Sequence, residues 1–298
     1  MIYVRGDFVD IVSALLLSLS VSLSAVKNIL IKSFSGFSIK NREFFGIQAT
    51  IFGAGSIALL FVNIFDFKGV SLFTFLLALL YGAVLLCAQW FYTIALTNGK
   101  TAVCTTIYSF GFILPTLSGT IAWQESISVF GVIGILMVFP VLIISGLGSK
   151  KSSFDSGSRK YIIPLIIALL CSGGLGIIQK VQQKSEFADQ KSTFILIAFV
   201  FAFVTSMLFF LLMKRGKKRI TGKNFGFSAI MGVIFSICNL LNTYLAGKLD
   251  SAIIFPALNI GAIVMSVILG LIIYREKLTK RDILIMLLGV SAIVLVNF

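Results

Sequence analysis

Histidine is absent from the 298 residues. That gap removes imidazole general bases, histidine-dependent nucleophiles and histidine metal sites together. Acidic residues are scarce, 11 against 25 Lys and Arg. All of them fall outside the long apolar runs or at their edges. A carboxylate inside a membrane is a common proton- and cation-handling group, and the runs contain none. Exchange of lipophilic cations on a buried carboxylate is therefore disfavoured, although aromatic faces also hold cations and the chain has 29 Phe and 7 Tyr. The four cysteines, Cys87, Cys104, Cys171 and Cys238, each stand alone in an apolar run. No CxxC spacing exists, so neither a disulfide framework nor a zinc site is indicated, and buried thiols acting as small hydrophobes are the simpler reading. No nucleophile motif or nucleotide-binding loop occurs. These absences argue against an enzyme and leave no call for a cofactor or a metal.

What is present is hydrophobic. Apolar residues make up 58% of the chain and mean hydropathy is +1.05, too oily for a soluble domain of this size. Runs of about 20 residues recur, the length at which a helix crosses a hydrocarbon core. Ten spans are expected, at 9–31, 44–62, 71–97, 101–122, 127–147, 161–182, 192–213, 225–247, 251–273 and 281–297. The alternating strands of a membrane barrel are absent. The first run follows Arg5 as a signal peptide does, but its length and the nine runs after it point to a retained helix. The net charge of +14 does not indicate nucleic acid. The basic residues cluster in short connections: Lys150, Lys151, Arg159 and Lys160 in one, and 214–223 in another. Basic connections flanking apolar spans are an orientation signal.

The polar linker 148–160 divides the runs five and five, and the halves resemble each other at an offset near 150. Gly82 falls on Gly232, Gln89 on Asn239, Thr93 on Thr243, Ala102 on Ala252 and Gly111 on Gly261. With one residue of slip Glu125 falls on Glu276. With two, Lys27-Asn28 falls on Gln179-Lys180 and Lys32-Ser33 on Lys184-Ser185. An odd number of spans per half makes the two halves inverted in the membrane, an arrangement in which transporters hold substrate at the repeat interface. The fold class is an all-α integral membrane protein of ten transmembrane helices in two inverted five-helix repeats: residues 1–148, a linker at 149–160, and residues 161–298.

The segment TNGKTAVCTTIYSFGFILPTLSGTIAWQESIS (97–128) and its second copy AGKLDSAIIFPALNIGAIVMSVILGLIIYREKLT (246–279) resemble the EamA-type branch of the drug/metabolite transporter superfamily. The shared elements are a small-residue helix start, a proline (Pro115, Pro256) and a glutamate in the turn before the fifth helix (Glu125, Glu276). The resemblance covers nearly the whole chain. It implies a ten-helix carrier of a small solute, with a central cavity lined by helices 1–4 and 6–9 and with helices 5 and 10 packed outside. It also implies termini inside the cell. The charges oppose that last point. Six Lys and Arg lie on the side of the N-terminus and eighteen on the other, which favours both termini outside a cell (inner or plasma) membrane.

The candidate site follows from polar residues within spans. Lys27 shares a helical face with Ser13, Ser20 and Ser24, although the opposite arc carries Ser18 and Ser22. Lys180 shares its face with Gly173 and Gly176. Each lysine either faces a cavity or snorkels from a helix end to the headgroups. Gln89 and Tyr92 in span 3, Asn239 and Asn242 in span 8, Tyr108 and Ser109 in span 4, and Asn259 in span 9 are either interhelical contacts or cavity lining, because an amide in hydrocarbon needs a partner. Pro115 and Pro256 mark kinks or hinges. Glu125 and Glu276 are expected to stabilise turns at the start of the following helix. The expected function is alternating-access transport of a small polar metabolite or drug-like solute. The competing reading is a scaffold or receptor subunit on a carrier fold. The partners are the small-molecule substrate and the bilayer, with the chain a monomer or weak homodimer.

Overall fold

The structure is a computed structural model, and it describes residues 3–4, 7–8, 11–32, 42–99, 101–125, 128–147, 161–216, 220–259, 261, 272 and 279–296. The linker 148–160 and Glu276 lie outside the described residues. A two-residue hairpin, β1 (Tyr3–Val4) antiparallel to β2 (Asp7–Phe8), precedes the helices and was not expected from the sequence. The helices are α1 (Ile11–Lys32), α2 (Arg42–Phe65), α3 (Leu72–Asn98), α4 (Thr101–Ser109), α5 (Ile113–Trp123), α6 (Val129–Leu147), α7 (Ile162–Gln183), α8 (Lys191–Leu212), α9 (Gly222–Lys248), α10 (251–259) and α11 (Lys280–Val296). Among the described residues six are long and apolar enough to cross a membrane: α1, α2, α3, α7, α8 with the 3-10 turn before it, and α9.

The expected boundaries that fall on described residues hold to within about three residues, because apolar runs end where charge or turn residues begin, and the end of the span expected at 251–273 lies outside the described residues. Span 4 departs from expectation. It breaks into α4, a 3-10 turn at Phe110–Phe112, and α5. Pro115 is the cause: it has no N–H for the Gly111 carbonyl, and its ring crowds that carbonyl, so the turn ahead of it tightens.

Local signals repeat as the spans do. Ser71 caps α3, its Oγ accepting from the Thr74 amide, and Thr221 caps α9, accepting from the Asn224 amide. Each cap satisfies one of the N–H groups left over at a helix start. Both helices are 27 residues long.

Packing runs mainly between the first half and the second. α2 lies on α8 and α9, α3 on α7 and α8, and α1 on α9, while α6 and α11 pair with each other. The glycines that match between halves are points of close approach. A Cβ on Gly82 would sit 2.7 Å from the Ala198 carbonyl oxygen, and one on Gly111 would sit 2.8 Å from that of Leu169. A Cβ on Gly232 would strike the Ile51 carbonyl, and one on Gly261 the Val21 side chain. Small residues let helix backbones meet where lipid offers no hydrophobic drive. The outward faces are apolar, with Ile57, Phe61 and Ile64 on α2 and Val204, Leu208 and Leu211 on α8 all exposed. The interior holds the polar residues. This inside-out distribution suits a lipid surround.

Candidate functional site: a polar cavity between the halves

On α1 the spacing of Ser13, Ser20 and Lys27 turns all three inward. They are 6%, 0% and 9% exposed. Ser18 and Ser22 face out and bond instead to their own helix, to the Ala14 and Ser18 carbonyls at 2.9 Å each. Lys27 therefore does not snorkel. Its ammonium lies 4.5 Å above the Phe235 ring, in a cavity of about 130 Å³ bounded by α1, α3, α4, α5, α7, α9 and α10. Gln89, Tyr108, Ser109, Asn239, Asn242 and Asn259 line the same cavity. Helices α2 and α8, expected to contribute, do not: they stand behind α3 and α9, filling the core with Phe52 and Phe199.

Two expected lining residues lie elsewhere. Tyr92 is behind the cavity wall, stacked on Tyr108 with ring centroids 4.0 Å apart and its hydroxyl 3.3 Å from that of Thr105. It buttresses a lining residue. Lys180 is fully buried but neither lines the cavity nor reaches headgroups. Its ammonium is 2.7 Å from Glu125 Oε1 and donates to the Leu249 carbonyl at 3.1 Å. The other Glu125 oxygen accepts from the Ser251 amide at 2.9 Å, so the carboxylate serves the start of α10 rather than of α6, where Ser128 caps. Burial pushes the Glu125 carboxyl up, and the bonds from Lys180 and Ser251 outweigh it, holding it below its ordinary value. This cluster ties the end of α5 to the end of α7 and to the α9–α10 connection.

Of the pair Gln179-Lys180, it is Gln179 that faces the cavity. One residue along a helix turns a side chain by about 100°. Gln179 Nε2 donates to the Tyr81 hydroxyl at 2.8 Å and to Thr243 Oγ1 at 3.1 Å, while the Tyr81 hydroxyl donates to Asn239 Oδ1 at 2.6 Å. Nearby, Ser20 Oγ donates to Asn242 Oδ1 at 2.6 Å. Tyr81 was not singled out by sequence, because a tyrosine at a core position has no signal separating it from packing. Tyr81→Phe removes the hinge of this network, and stability should fall by about 1–3 kcal/mol, the usual cost of stranding buried polar partners; thermal unfolding in detergent measures it.

Pro115 touches the cavity and Gly176 packs under it. Pro256 is buried within α10 and is not a lining residue. The four cysteines are free thiols, and Cys238 lines the cavity beside Ser24, whose hydroxyl lies 3.7 Å from its sulfur. Among the described residues no acidic side chain lines the cavity, and no group of acids and cysteines is arranged to hold a metal.

A multi-pass helical membrane protein with a polar chamber at the meeting of its halves is thereby defined. Residues 159–298 match the EamA-like transporter family, which lies within the drug/metabolite transporter superfamily. That family is one of membrane transporters, and the match bears out the resemblance read from the sequence. No curated protein matches the chain. Among solved structures 28 chains match. One, described only as the crystal structure of a protein, is 12% identical, covers 96% of this chain and 98% of its own, and superposes with a TM-score of 0.68. At that identity the likeness is one of fold.

Proposed function

We propose that the protein is a secondary carrier that moves a small polar solute across a cell membrane by alternating access. The observation that carries this reading is the cavity itself: a buried polar chamber walled by α1, α3, α4 and α5 from one half and by α7, α9 and α10 from the other. Solute sites of inverted-repeat carriers lie at that junction. Rocking of one half on the other changes which mouth is open. The glycine contacts supply close sliding surfaces, and the break at Pro115 supplies a hinge.

The ten-span inverted arrangement, with repeats at 1–148 and 161–298, is supported by the bonds between connections. The α2–α3 connection bonds to the α7–α8 connection, the Ser71 amide to Gln190, and to the start of α8, Ser192 to the Asp66 carbonyl. The Glu125 cluster joins the α5–α6 and α9–α10 connections. The start of α2 bonds to the α8–α9 connection, the Arg42 amide to the Lys214 carbonyl and the Gly216 amide to Glu43. Each of these bonds joins connections that ten alternating spans place on the same side. The side holding Lys214 and Arg215 is the basic one, which supports a cytoplasmic location for it and termini on the outer face. The chain works as a monomer, or at most a weak homodimer, with the bilayer as its surround.

Purified protein in sealed vesicles should take up at least one solute from a panel of organic acids, amino acids, sugars, nucleosides and quaternary amines, with saturation and with counterflow. No flux for any of them, with the protein folded, favours the scaffold reading.

A further inference from the structure

We infer that the cavity binds the carboxylate of a small, singly charged organic acid between the Lys27 ammonium and the Gln89 amide, and that this anion is the cargo. The inference rests on the carrier reading and names its substrate class.

The observation is an imbalance between the two halves. The repeat offsets put Gln179 with Asn239 in one half and Lys27 with Gln89 in the other. The backbone scheme is the same in both: Thr243 Oγ1 donates to the Asn239 carbonyl at 2.8 Å, and Thr93 Oγ1 to the Gln89 carbonyl at 2.7 Å. In the second half the side chains are satisfied by Tyr81 and Thr243. In the first half they are not. Among the described residues Gln89, 2% exposed, has no acceptor for its Nε2, and Lys27, 9% exposed, lies against the Phe235 ring and near the Cys238 thiol with no oxygen acceptor. Both open onto the cavity. Buried donors without acceptors are costly, and a ligand that supplies acceptors removes the cost.

A carboxylate supplies two acceptor oxygens and one negative charge. One ammonium balances one charge, so a phosphate dianion would leave a second charge unpaired in a medium of low dielectric. A cation has no counter-charge, because no acidic side chain lines the cavity among the described residues. Of the cavity's amide oxygens, Asn239 Oδ1 and Asn242 Oδ1 already accept from Tyr81 and Ser20. The acid's remaining atoms meet Phe112, Phe255 and Leu258. Size follows from volume: about 130 Å³ is close to the engineered protein cavity of ~150 Å³ that holds benzene, so the cargo has roughly six non-hydrogen atoms.

The test uses the full chain in detergent, with unfolding temperature followed against butyrate, its neutral isostere butyramide, butylamine and inorganic phosphate. Butyrate should raise the unfolding temperature with saturation, by the linkage of binding to stability, and the other three should not. Lys27→Met should weaken butyrate binding by about tenfold or more, since it strands the carboxylate without its charge partner. Lys27→Arg, which keeps the charge, and Gln89→Leu, which removes one donor, should fall between. Butyramide binding as well as butyrate, unchanged butyrate affinity in Lys27→Met, or no saturable effect for any carboxylate from acetate to benzoate would each overturn the proposal. Vesicle uptake separates the two readings. Lys27-dependent butyrate binding without uptake keeps the site and rejects the carrier. Uptake of a neutral or cationic solute that ignores Lys27→Met keeps the carrier and overturns the anion site.

Discussion

Lys180→Met should be among the most damaging single substitutions in the chain. It leaves the Glu125 carboxylate, 9% exposed, facing an apolar stem where an ammonium stood at 2.7 Å, and strands the Leu249 carbonyl. Removing one member of a buried ion pair costs about 3–5 kcal/mol, a large share of the stability of a folded domain. The double variant Lys180→Met with Glu125→Gln should recover much of that loss, because the stranded charge goes with its partner. Thermal unfolding of the four proteins in the cycle measures the coupling. Equal losses in the single and double variants would show that the pair contributes packing and not charge. The pH dependence has a definite sign. A carboxyl held below its ordinary value when folded stabilises the folded state above its unfolded pKa and loses that contribution as pH falls through the lowered folded value. The wild type should therefore lose stability in acid that the double variant never had. The same cluster ties connections of the two halves together on one side of the proposed carrier, so its loss should also favour opening on that side.

Gly232→Ala should destabilise by about 1–3 kcal/mol, the cost of overpacking a tight contact, even though alanine suits a helix better than glycine by about 1 kcal/mol. The new methyl would drive into the Ile51 carbonyl of α2, a backbone atom that cannot swing aside as a side chain can. Gly226 lies on the same helix with nothing within 4 Å of its Cβ position. Gly226→Ala should therefore stabilise, or leave stability unchanged. Opposite signs for two glycines six residues apart on α9 would tie the effect to the approach of the halves. If both substitutions stabilise, α2 and α9 do not meet as closely as the structure places them.

Gly232 also shows what the sequence could reveal. It was read as one of several glycines recurring at a fixed offset, and the structure gives that recurrence a reason: Gly82, Gly111 and Gly232 meet the backbone of the other half and Gly261 the Val21 side chain. The spans were legible because about 20 apolar residues ending in charge leave little freedom in where a helix stops. The inward stripe of α1 was legible because Ser13, Ser20 and Lys27 keep helical spacing. Partners distant in sequence were not. Gln179 and Lys180 are adjacent, and their partners in the fold, Tyr81 and Thr243 for the one and Glu125 for the other, reveal which faces the cavity. Tyr92 and Tyr81 pose the same problem: both sit on α3, and the neighbouring helices α4, α7 and α9 determine that one braces Tyr108 while the other joins Gln179 to Asn239. The break in span 4 was legible in part, since Pro115 predicts a kink but not that it becomes a 3-10 turn.

Cys238 offers a native probe of alternating access, the central claim. With Cys87, Cys104 and Cys171 replaced by serine or alanine, it is the remaining thiol, and it lines the cavity. A membrane-impermeant thiol reagent applied to one face, then to the other, of oriented vesicles reads which mouth is open. An alternating carrier predicts modification of Cys238 from both faces, faster in Lys180→Met from the side on which the Glu125 cluster lies, and slowed by the cargo on both. Modification from one face alone, whatever the solute present, would contradict it.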